Sequence, residues 1–488
     1  VTGTADAHQS PPGSARPHAV LVITSAAAFL STLDLFIVNI AFPAISATFS
    51  GADFGQLSWI LNSYTVVFAA VLSLAGRLAD RYGHRRVFLT GLAVFTISSA
   101  ACALAPSLWG LVAARAVQGI GAALMTPTSL SLLLAAWPAD RRERAVGTWA
   151  SVGAVAAALG PPLGGFLVAV SWQWVFMVNV PIGVGLFVAA ALLLRESDIE
   201  RSGTPDLLGA TALIMGIGAL ACALVEIPDN GWRGATVLGG FIVSVLGLLL
   251  VVLRSRRHAV PALDLAVLRA PVFSLGIVML LAFSCGFAGM LLINVIYLTS
   301  IWGWSPQAAG LGLMAGPLVV IVVSQVASRV SGRFGAGPAA TFGALSFAAG
   351  ACWWLWRLGS EPNYATGLLP GQLLTGLGVG LILPTLSSLV GSALSSRQWG
   401  SGSSLLNTAR QIGSVLGIAL TVTVIGAHGM RAAVDLASIR AGWVLLAATG
   451  SVAALIGAAL IVLERRCVIE AQQGLARQTQ EGMEIDYR

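Results

Sequence analysis

Fourteen apolar stretches, nearly all at least about twenty residues long, divide this chain, and no segment between them is long enough to build a soluble domain. A helix needs about 20 apolar residues to cross a hydrocarbon layer, and inside such a layer only helices or a closed barrel satisfy the backbone. Breaks in hydropathy place the stretches at 19–48, 56–76, 87–105, 108–136, 145–170, 174–194, 207–227, 235–253, 272–301, 306–327, 339–356, 364–393, 401–428 and 441–463. Runs of this length select helix over strand. Composition agrees: 10% of the residues are charged and mean hydropathy is +0.86, against about 25% charged in a soluble protein. The chain reads as an all-α integral membrane protein in a lipid bilayer.

The 27 basic residues are all arginine, and their placement fixes a topology. With fourteen crossings, 21 arginines fall on one side, among them Arg77, Arg81, Arg85, Arg86, Arg141, Arg142, Arg144, Arg254, Arg256, Arg257, Arg329, Arg333, Arg465 and Arg466. Only Arg233, Arg357, Arg431 and Arg440 fall on the other, while Arg115 and Arg410 lie inside stretches. Positive residues stay on the cytoplasmic side, so both termini are expected there, in the cytoplasmic membrane. The net charge of +7 is then a topology signal rather than a nucleic-acid signal. Residues 1–18, rich in Ser, Pro, Ala and Gly, read as a disordered cytoplasmic tail, and 464–488 as a second cytoplasmic tail. The first apolar run is too long for a signal sequence and contains Asp34, so it reads as a retained helix.

Two internal repeats divide the chain. Residues 77–83, Arg-Leu-Ala-Asp-Arg-Tyr-Gly, match 329–335, Arg-Val-Ser-Gly-Arg-Phe-Gly, at an offset of 252. Gly119, Gly121 and Pro127 match Gly376, Gly378 and Pro384 at an offset of 257. The paired stretches run the same way through the membrane, so the halves are parallel repeats, as in transporters made of two six-helix bundles with a site between them. The expected units are 19–194, an inserted two-helix hairpin with linkers at 195–270, and 271–463.

Asp34 is a lone carboxylate near the middle of the first stretch. An Asp at the centre of a bilayer costs roughly 2.5 to 3.5 kcal/mol on insertion scales and is functional by default. It is the only carboxylate near mid-membrane in the first six stretches, and Arg115 is a cation within the fourth, so the two are expected to communicate, directly or through water. Burial favours the neutral acid and a nearby guanidinium favours the carboxylate; a cavity that opens to alternate sides would shift that balance. A plain structural pair is the competing reading. The turn Gly76, Arg77, Asp80, Arg81, Gly83, Arg85 and Arg86 anchors topology, with Asp80 as ion-pair partner or helix cap. In the fifth stretch Gly153, Gly160, Pro161, Pro162, Gly164 and Gly165 allow close helix approach and a bend, for packing alone or as a gate.

Residues 76–86 closely resemble the first signature of the major facilitator superfamily. Arg115, Gln118, Gly119 and Gly121 are similar to its second signature, and Gly153 with 160–165 to its third, which is found in drug antiporters. Residues 33–43, from Leu33-Asp34 through Asn39 to Pro43, resemble the first-helix signature of the fourteen-helix drug:proton antiporters, and Asn407, Arg410, Gln411 and Gly413 match their thirteenth-helix pattern. The resemblance spans nearly the whole chain. It implies the major facilitator fold and proton-driven export of amphipathic drugs or antibiotics by alternating access, with Asp34 and Arg115 coupling to protons. One departure is Gly332, which stands where the first turn has Asp80, so a charge lock is expected from the first half only.

Polar or amphipathic groups in the stretches are the expected lining of a substrate cavity: Asn39, Trp59, Asn62, Tyr64, Gln118, Asn179, Asn294, Tyr297, Gln325, Gln372, Asn407, Arg410 and Gln411. Each could equally be glue between helices. Arg410 stands out because no acid in the second bundle's stretches can neutralise it; neutral, zwitterionic or anionic substrates are expected before dications. Glu226, near the outer end of the seventh stretch, reads as interfacial. The five scattered cysteines form neither metal spacing nor a disulfide framework. With no Lys there is no Walker site, so the energy source is an ion gradient. No enzyme, cofactor or nucleic-acid partner is indicated, and a monomer is expected. The alternatives are an uptake symporter or narrow metabolite facilitator of the same fold, or a non-transporting receptor.

Overall fold

Apolar length becomes helix in the computed structural model of the chain, which describes residues 17–138, 141–196, 206–258, 261–395, 398–426 and 434–486. The first bundle contains α1 (Pro17–Thr48), α2 (Phe54–Tyr82), α3 (His84–Ala103), α4 (Leu108–Ala136), α5 (Arg142–Val170), the short turn α6 (Trp174–Met177) and α7 (Asn179–Leu193). The hairpin is α8 (Leu207–Asn230) and α9 (Ala235–Arg257). The second bundle follows: α10 (Pro271–Ile296), α11 (Pro306–Gly312), α12 (Ala315–Phe334), α13 (Ala336–Arg357), α14 (Leu369–Ala393), α15 (Trp399–Gly426) and α16 (Leu436–Asp486). Starts are set by side-chain caps: Asp53 accepts from Gln56 N at 2.7 Å, Ser107 from Gly110 N at 3.2 Å and Asp206 from Gly209 N at 2.8 Å.

Thirteen spans among the described residues are long and apolar enough to cross a membrane. The remaining expected crossing, 339–356, is α13; its glycines and tryptophans lower its hydropathy but not its reach, since 22 residues extend about 33 Å. Exposed tryptophans stand near helix ends, Trp109, Trp174, Trp232 and Trp356 towards the arginine-poor face and Trp399 towards the arginine-rich one, as in an interfacial aromatic belt.

The repeat is visible in how glycines let helices touch. Gly119 of α4 rests on the Tyr64 carbonyl of α2, and Gly376 of α14 on the Gly316 carbonyl of α12. Gly121 meets Phe95 of α3, and Gly378 meets Phe347 of α13. Partners 64 and 316, like 95 and 347, stand at the 252-residue offset of the repeated turn. A side chain at any of these glycines would collide with backbone, which is why small residues mark the crossings.

Several boundaries differ from the sequence expectation. The sixth crossing is broken at Val178 between α6 and α7, and the tenth at Leu313 and Met314 between α11 and α12. π-helical turns occupy Tyr297–Ile301 after α10 and Tyr364–Leu368 before α14. Pro17 and His18, expected in the tail, belong to α1, held where Trp137 Nε1 donates to the Pro17 carbonyl at 3.1 Å; residues 1–16 lie outside the described residues. The second expected tail is helical through Asp486, a continuation of α16.

The hairpin covers one seam between the bundles. α8 lies against both α2 and α15, with Thr423 Oγ1 of α15 donating to the Leu224 carbonyl at 2.6 Å and Leu74 packed on Ala210. Gly216 and Gly247 draw α8 and α9 together. At the arginine-rich end the buried Asp206 both caps α8 and accepts from Arg254 Nε of α9 at 2.7 Å.

Candidate transport site

In the first bundle six helical segments deliver polar groups to one buried point. Asp34 of α1 is 0% exposed and Arg115 of α4 is 1% exposed, and Arg115 Nη1 donates to Asp34 Oδ2 at 2.6 Å. Asp34 Oδ1 accepts from Gln118 Nε2 at 2.9 Å and from Asn179 Nδ2 at 3.1 Å. Both amides also donate to Ser99 Oγ of α3 at 3.0 Å, and that hydroxyl donates to the Phe176 carbonyl of α6 at 3.1 Å. Arg115 further donates to Gln118 Oε1 at 2.6 Å and to the Ile60 carbonyl of α2 at 3.2 Å. Its guanidinium lies 4.3 Å from the Tyr64 ring centre, a cation–π contact. A buried ion pair is tolerable only when its spare donors and acceptors are satisfied, and here they nearly all are.

This network sits towards the arginine-poor face. Arg115 is seven residues from the start of α4 at that face, about 10 Å along its axis, and Ser99 and Asn179 lie within one turn of the ends of α3 and α7. Phe49, Trp172 and Phe176 form an aromatic plug over it, with ring centres 6.1 and 6.2 Å apart. Ser99, Phe176 and the Ile60 carbonyl were not foreseen; a Ser in an apolar helix and a bare carbonyl carry no pattern that sequence reading can isolate.

The 160–165 run meets the other bundle on this same side. Gly165 abuts Pro306 and Gln307 at the start of α11, while Gly310 of α11 abuts the Pro161 carbonyl. Gly160 and Gly164 let α5 press against Phe36, Ile37 and Ile40 of α1, and Gly153 lies in the more open half of α5 with only Thr32 near. Towards the arginine-rich face Thr148 and Ser151 of α5, and Val322, Gln325 and Val326 of α12, are exposed.

The arginine-rich turn is built around a glycine. Gly83 has φ +98°, a conformation that other residues rarely adopt, and Glu196, which follows α7, sits against it. Glu196 Oε1 accepts from Arg85 N at 2.9 Å and Oε2 from Arg86 N at 3.3 Å, capping α3. Arg85 Nη2 donates to the Ala191 carbonyl at 2.7 Å, and Asp80 Oδ1 lies 3.6 Å from His84 Nε2. Arg81 stacks on the exposed Tyr82 ring, and Gly76 and Arg77 lie on the preceding turn of α2. The second turn lacks an Asp at 332 but not an acid: Gly335 has φ +95° and Glu464 Oε2 accepts from Gly337 N at 3.0 Å. Both glutamates were missed, because each caps a helix more than a hundred residues away.

The expected cavity residues separate into groups. Gln118, Asn179 and Tyr64 belong to the Asp34 network. Asn39 donates to the Leu35 carbonyl of its own helix at 2.9 Å, Asn62 approaches Ser58 Oγ at 3.5 Å and Trp59 packs into the core. Asn294 accepts from Trp443 Nε1 at 3.3 Å, Tyr297 Oη donates to the Gly359 carbonyl at 2.7 Å and Gln372 Nε2 to the Gly312 carbonyl at 2.9 Å. Gln411 is buried, and Asn407 donates to the Ser403 carbonyl at 2.9 Å. Arg410 is partly exposed, and its side chain makes no ion pair or hydrogen bond among the described residues. Among those residues no group of His, Cys, Asp and Glu could hold a metal.

Paired six-helix repeats around a buried acid are a transporter's architecture, and the sequence profile of the Major Facilitator Superfamily matches residues 24–279 and 275–472. The chain belongs to the major facilitator superfamily. It is a multi-pass membrane transporter and not an enzyme. Relatives within the superfamily include the multidrug resistance protein Stp of Mycobacterium tuberculosis, 34% identical over 83% of this chain and 75% of that protein. Another is the methylenomycin A resistance protein of Streptomyces coelicolor, 34% identical over 86% of this chain and 88% of that protein. Among solved structures a POT family transporter in complex with 5-aminolevulinic acid superposes with a TM-score of 0.67, at 17% identity over 94% of this chain and 98% of that one. A D-xylose-proton symporter gives 0.65 at 14% identity over 90% and 97%. These two share the major facilitator fold.

Proposed function

We propose that this transporter exports amphipathic drugs or antibiotics across the cytoplasmic membrane in exchange for protons, and that Asp34 carries the proton. The observation that carries the reading is the fully buried Asp34–Arg115 pair at 2.6 Å, a charge in a span with one strong partner and a set of neutral donors around it. The names of the relatives, resistance and export proteins, support the direction and the substrate class. The arginine-rich face is cytoplasmic on the positive-inside rule, which puts both termini inside; the chain works as a monomer, since both bundles come from one polypeptide.

In this reading the closed Asp34–Arg115 pair is the state after proton release. Asp34 is locked to Arg115, the α5–α11 contact closes the outer side, and substrate enters from the cytoplasm. Rocking the bundles opens the outer side and parts the aromatic plug over the network. An external proton then adds to an Asp34 oxygen, which ceases to be an anion. Arg115 loses its counter-ion but keeps Gln118 Oε1 and the Ile60 carbonyl as acceptors. Substrate leaves, the protein returns, and the proton passes to the cytoplasm as the ion pair reforms. Close packing at Gly165 and Gly310 limits leak while the cavity faces inward.

The test is drug-for-proton exchange in proteoliposomes with an imposed pH gradient. Asp34→Asn is expected to abolish exchange while the protein remains folded; undiminished exchange in that variant refutes the carrier role. Flux of substrate in the same direction as protons would instead mark an uptake symporter.

A further inference from the structure

We infer that a polar strip on α15, centred on Arg410, is the substrate-recognition surface for an anionic oxygen group, a carboxylate or ionised phenol, on an otherwise apolar molecule. This rests on the export reading and adds the chemical class of its substrate. Ser403, Asn407, Arg410 and Ser414 are spaced four, three and four residues apart, so they fall on one face of α15, and every one of them is at least partly exposed. The flanks of that face identify what it looks into. On one flank Gly413 and Gly417 rest on the Leu281 and Cys285 carbonyls of α10. Around the other side Thr408 Oγ1 donates to the Ala69 carbonyl of α2 at 3.3 Å. The strip therefore lies between α10 and α2, at the seam between the bundles, and widens towards the arginine-rich face, where Ser403 is the most exposed member.

The pseudo-equivalent helix supplies the contrast. α5 and α15 start 257 residues apart, and the positions matching the strip in α5 are Val146, Ala150, Gly153 and Ala157. One wall of the seam is thus apolar and small, and the other carries three neutral polar groups and a guanidinium. Charge accounting points the same way. The Asp34–Arg115 pair is neutral as a unit, Glu226 is at the far end of α8 with Asn230 donating to it at 2.6 Å, and Arg410 has no carboxylate. An arginine remains charged in any protein environment, and an uncompensated cation at mid-membrane is costly. The ligand that relieves it is an anion, and the planar fork of the guanidinium suits two oxygens on one group, while Asn407, one turn away, keeps a second amide hydrogen to donate. Dications would meet repulsion at this point.

Export by proteoliposomes can be measured with three fluorescent probes that share a pyrene body: pyrenebutyrate, the neutral pyrenebutanol and pyrenylmethyl-trimethylammonium. Wild-type protein is expected to favour the carboxylate. R410Q is expected to lower carboxylate export about tenfold or more, the loss of one charge-assisted hydrogen bond, with the alcohol changed less than about twofold. R410E is expected to move preference to the cation, and R410K to retain part of the carboxylate export. Preference of the wild type for the cation overturns the assignment, as does equal loss of carboxylate and alcohol export in R410Q. Should R410Q fail to reach the membrane, R410K is read by the same criterion. Absence of gradient-dependent movement of any probe by the wild type removes the export reading itself, and the assignment with it.

Discussion

Seven residues into α4 the first bundle has Arg115, buried and paired with Asp34; at the matching place in α14, 257 residues later, the second bundle has Gln372, whose amide donates to a backbone carbonyl of α11. Where α1 carries Asp34, α10 carries Gly286 at the 252-residue offset, pressed against Thr449 and Phe347. The second bundle fills its centre with rings instead, Phe283 against Phe347 at 5.2 Å and Trp443 against Tyr297 at 4.9 Å. Two copies of one scaffold have been given different interiors. The first holds a buried ion pair; the second is filled with rings, and its only mid-membrane charge among the described residues, Arg410, is partly exposed on α15. In the proposed exchange, proton and substrate would act through different halves and be coupled by the rocking that joins them.

The comparison is broken most severely by removing one member of the buried pair. Arg115→Leu leaves Asp34 without its counter-ion, and cutting one partner from a buried pair costs about 3–5 kcal/mol. Asp34→Asn combined with Arg115→Gln removes both charges and is expected to restore most of the loss without restoring proton coupling. Gln372→Leu, the matching change in the second bundle, deletes one neutral hydrogen bond and costs about 0.5–1.5 kcal/mol. Thermal unfolding of the purified variants in detergent measures all three. A loss at Gln372 as large as that at Arg115 would mean the halves are equally dependent on their central polar groups.

Much of this asymmetry was legible before any coordinates. Asp34 and Arg115 announced themselves because a charge in an apolar run has so few explanations, and Gly119, Gly121, Gly376 and Gly378 revealed the repeat because they recur at one offset. The partners that complete the site were not legible. Ser99, the Phe176 carbonyl and the Ile60 carbonyl become ligands of the network only when α3, α6 and α2 close around it. The break between α6 and α7 has a local cause that the sequence reading passed over: Pro181 cannot donate to the Met177 carbonyl, so the helix is interrupted at Val178. Asn294, Tyr297 and Gln372 read as cavity residues, yet each is engaged with a carbonyl or ring of its own bundle; polarity in a span reports a need for a partner and not which partner meets it.

The gate sharpens the comparison next. Gly310→Val would drive a side chain into the Pro161 carbonyl, where the second bundle touches the first, whereas Gly153→Ala in the same α5 has open space around it. We expect Gly310→Val to hold the outer side ajar and to lower exchange about tenfold or more, with each tenfold corresponding to about 1.4 kcal/mol, and Gly153→Ala to be nearly silent. Labelling of a single cysteine placed beside α11 on the outer face reports the opening. A closed outer face in Gly310→Val would remove the gate.

Smaller effects are expected at the two glycine turns. Gly83→Ala and Gly335→Ala each force a side chain into a positive-φ conformation, at about 1–3 kcal/mol. The first should cost more, because the new methyl also meets the Glu196 carboxylate closely, while at Gly335 the nearest Glu464 oxygen is 3.2 Å away and can give. Thermal unfolding ranks the pair, and the opposite order would show that Glu196 moves aside freely.

The smallest effect tests whether the two halves are alike where they look alike. Glu196 and Glu464 each place a carboxylate on the first amides of the helix that follows a glycine turn, and a carboxylate there gains about 0.3–1 kcal/mol from the helix dipole. If both act only as caps, Glu196→Gln and Glu464→Gln should lose stability equally, with faster amide exchange confined to Arg85 and Arg86 in one case and Gly337 in the other. Glu196 also lies 3.8 Å from the Arg86 guanidinium, but that arginine is 72% exposed and the pair adds little in water. A loss of exchange activity in Glu196→Gln alone, at equal stability, would therefore come from the arginine-rich turn acting as a lock during rocking, with Asp80 as the feature that Gly332 lacks.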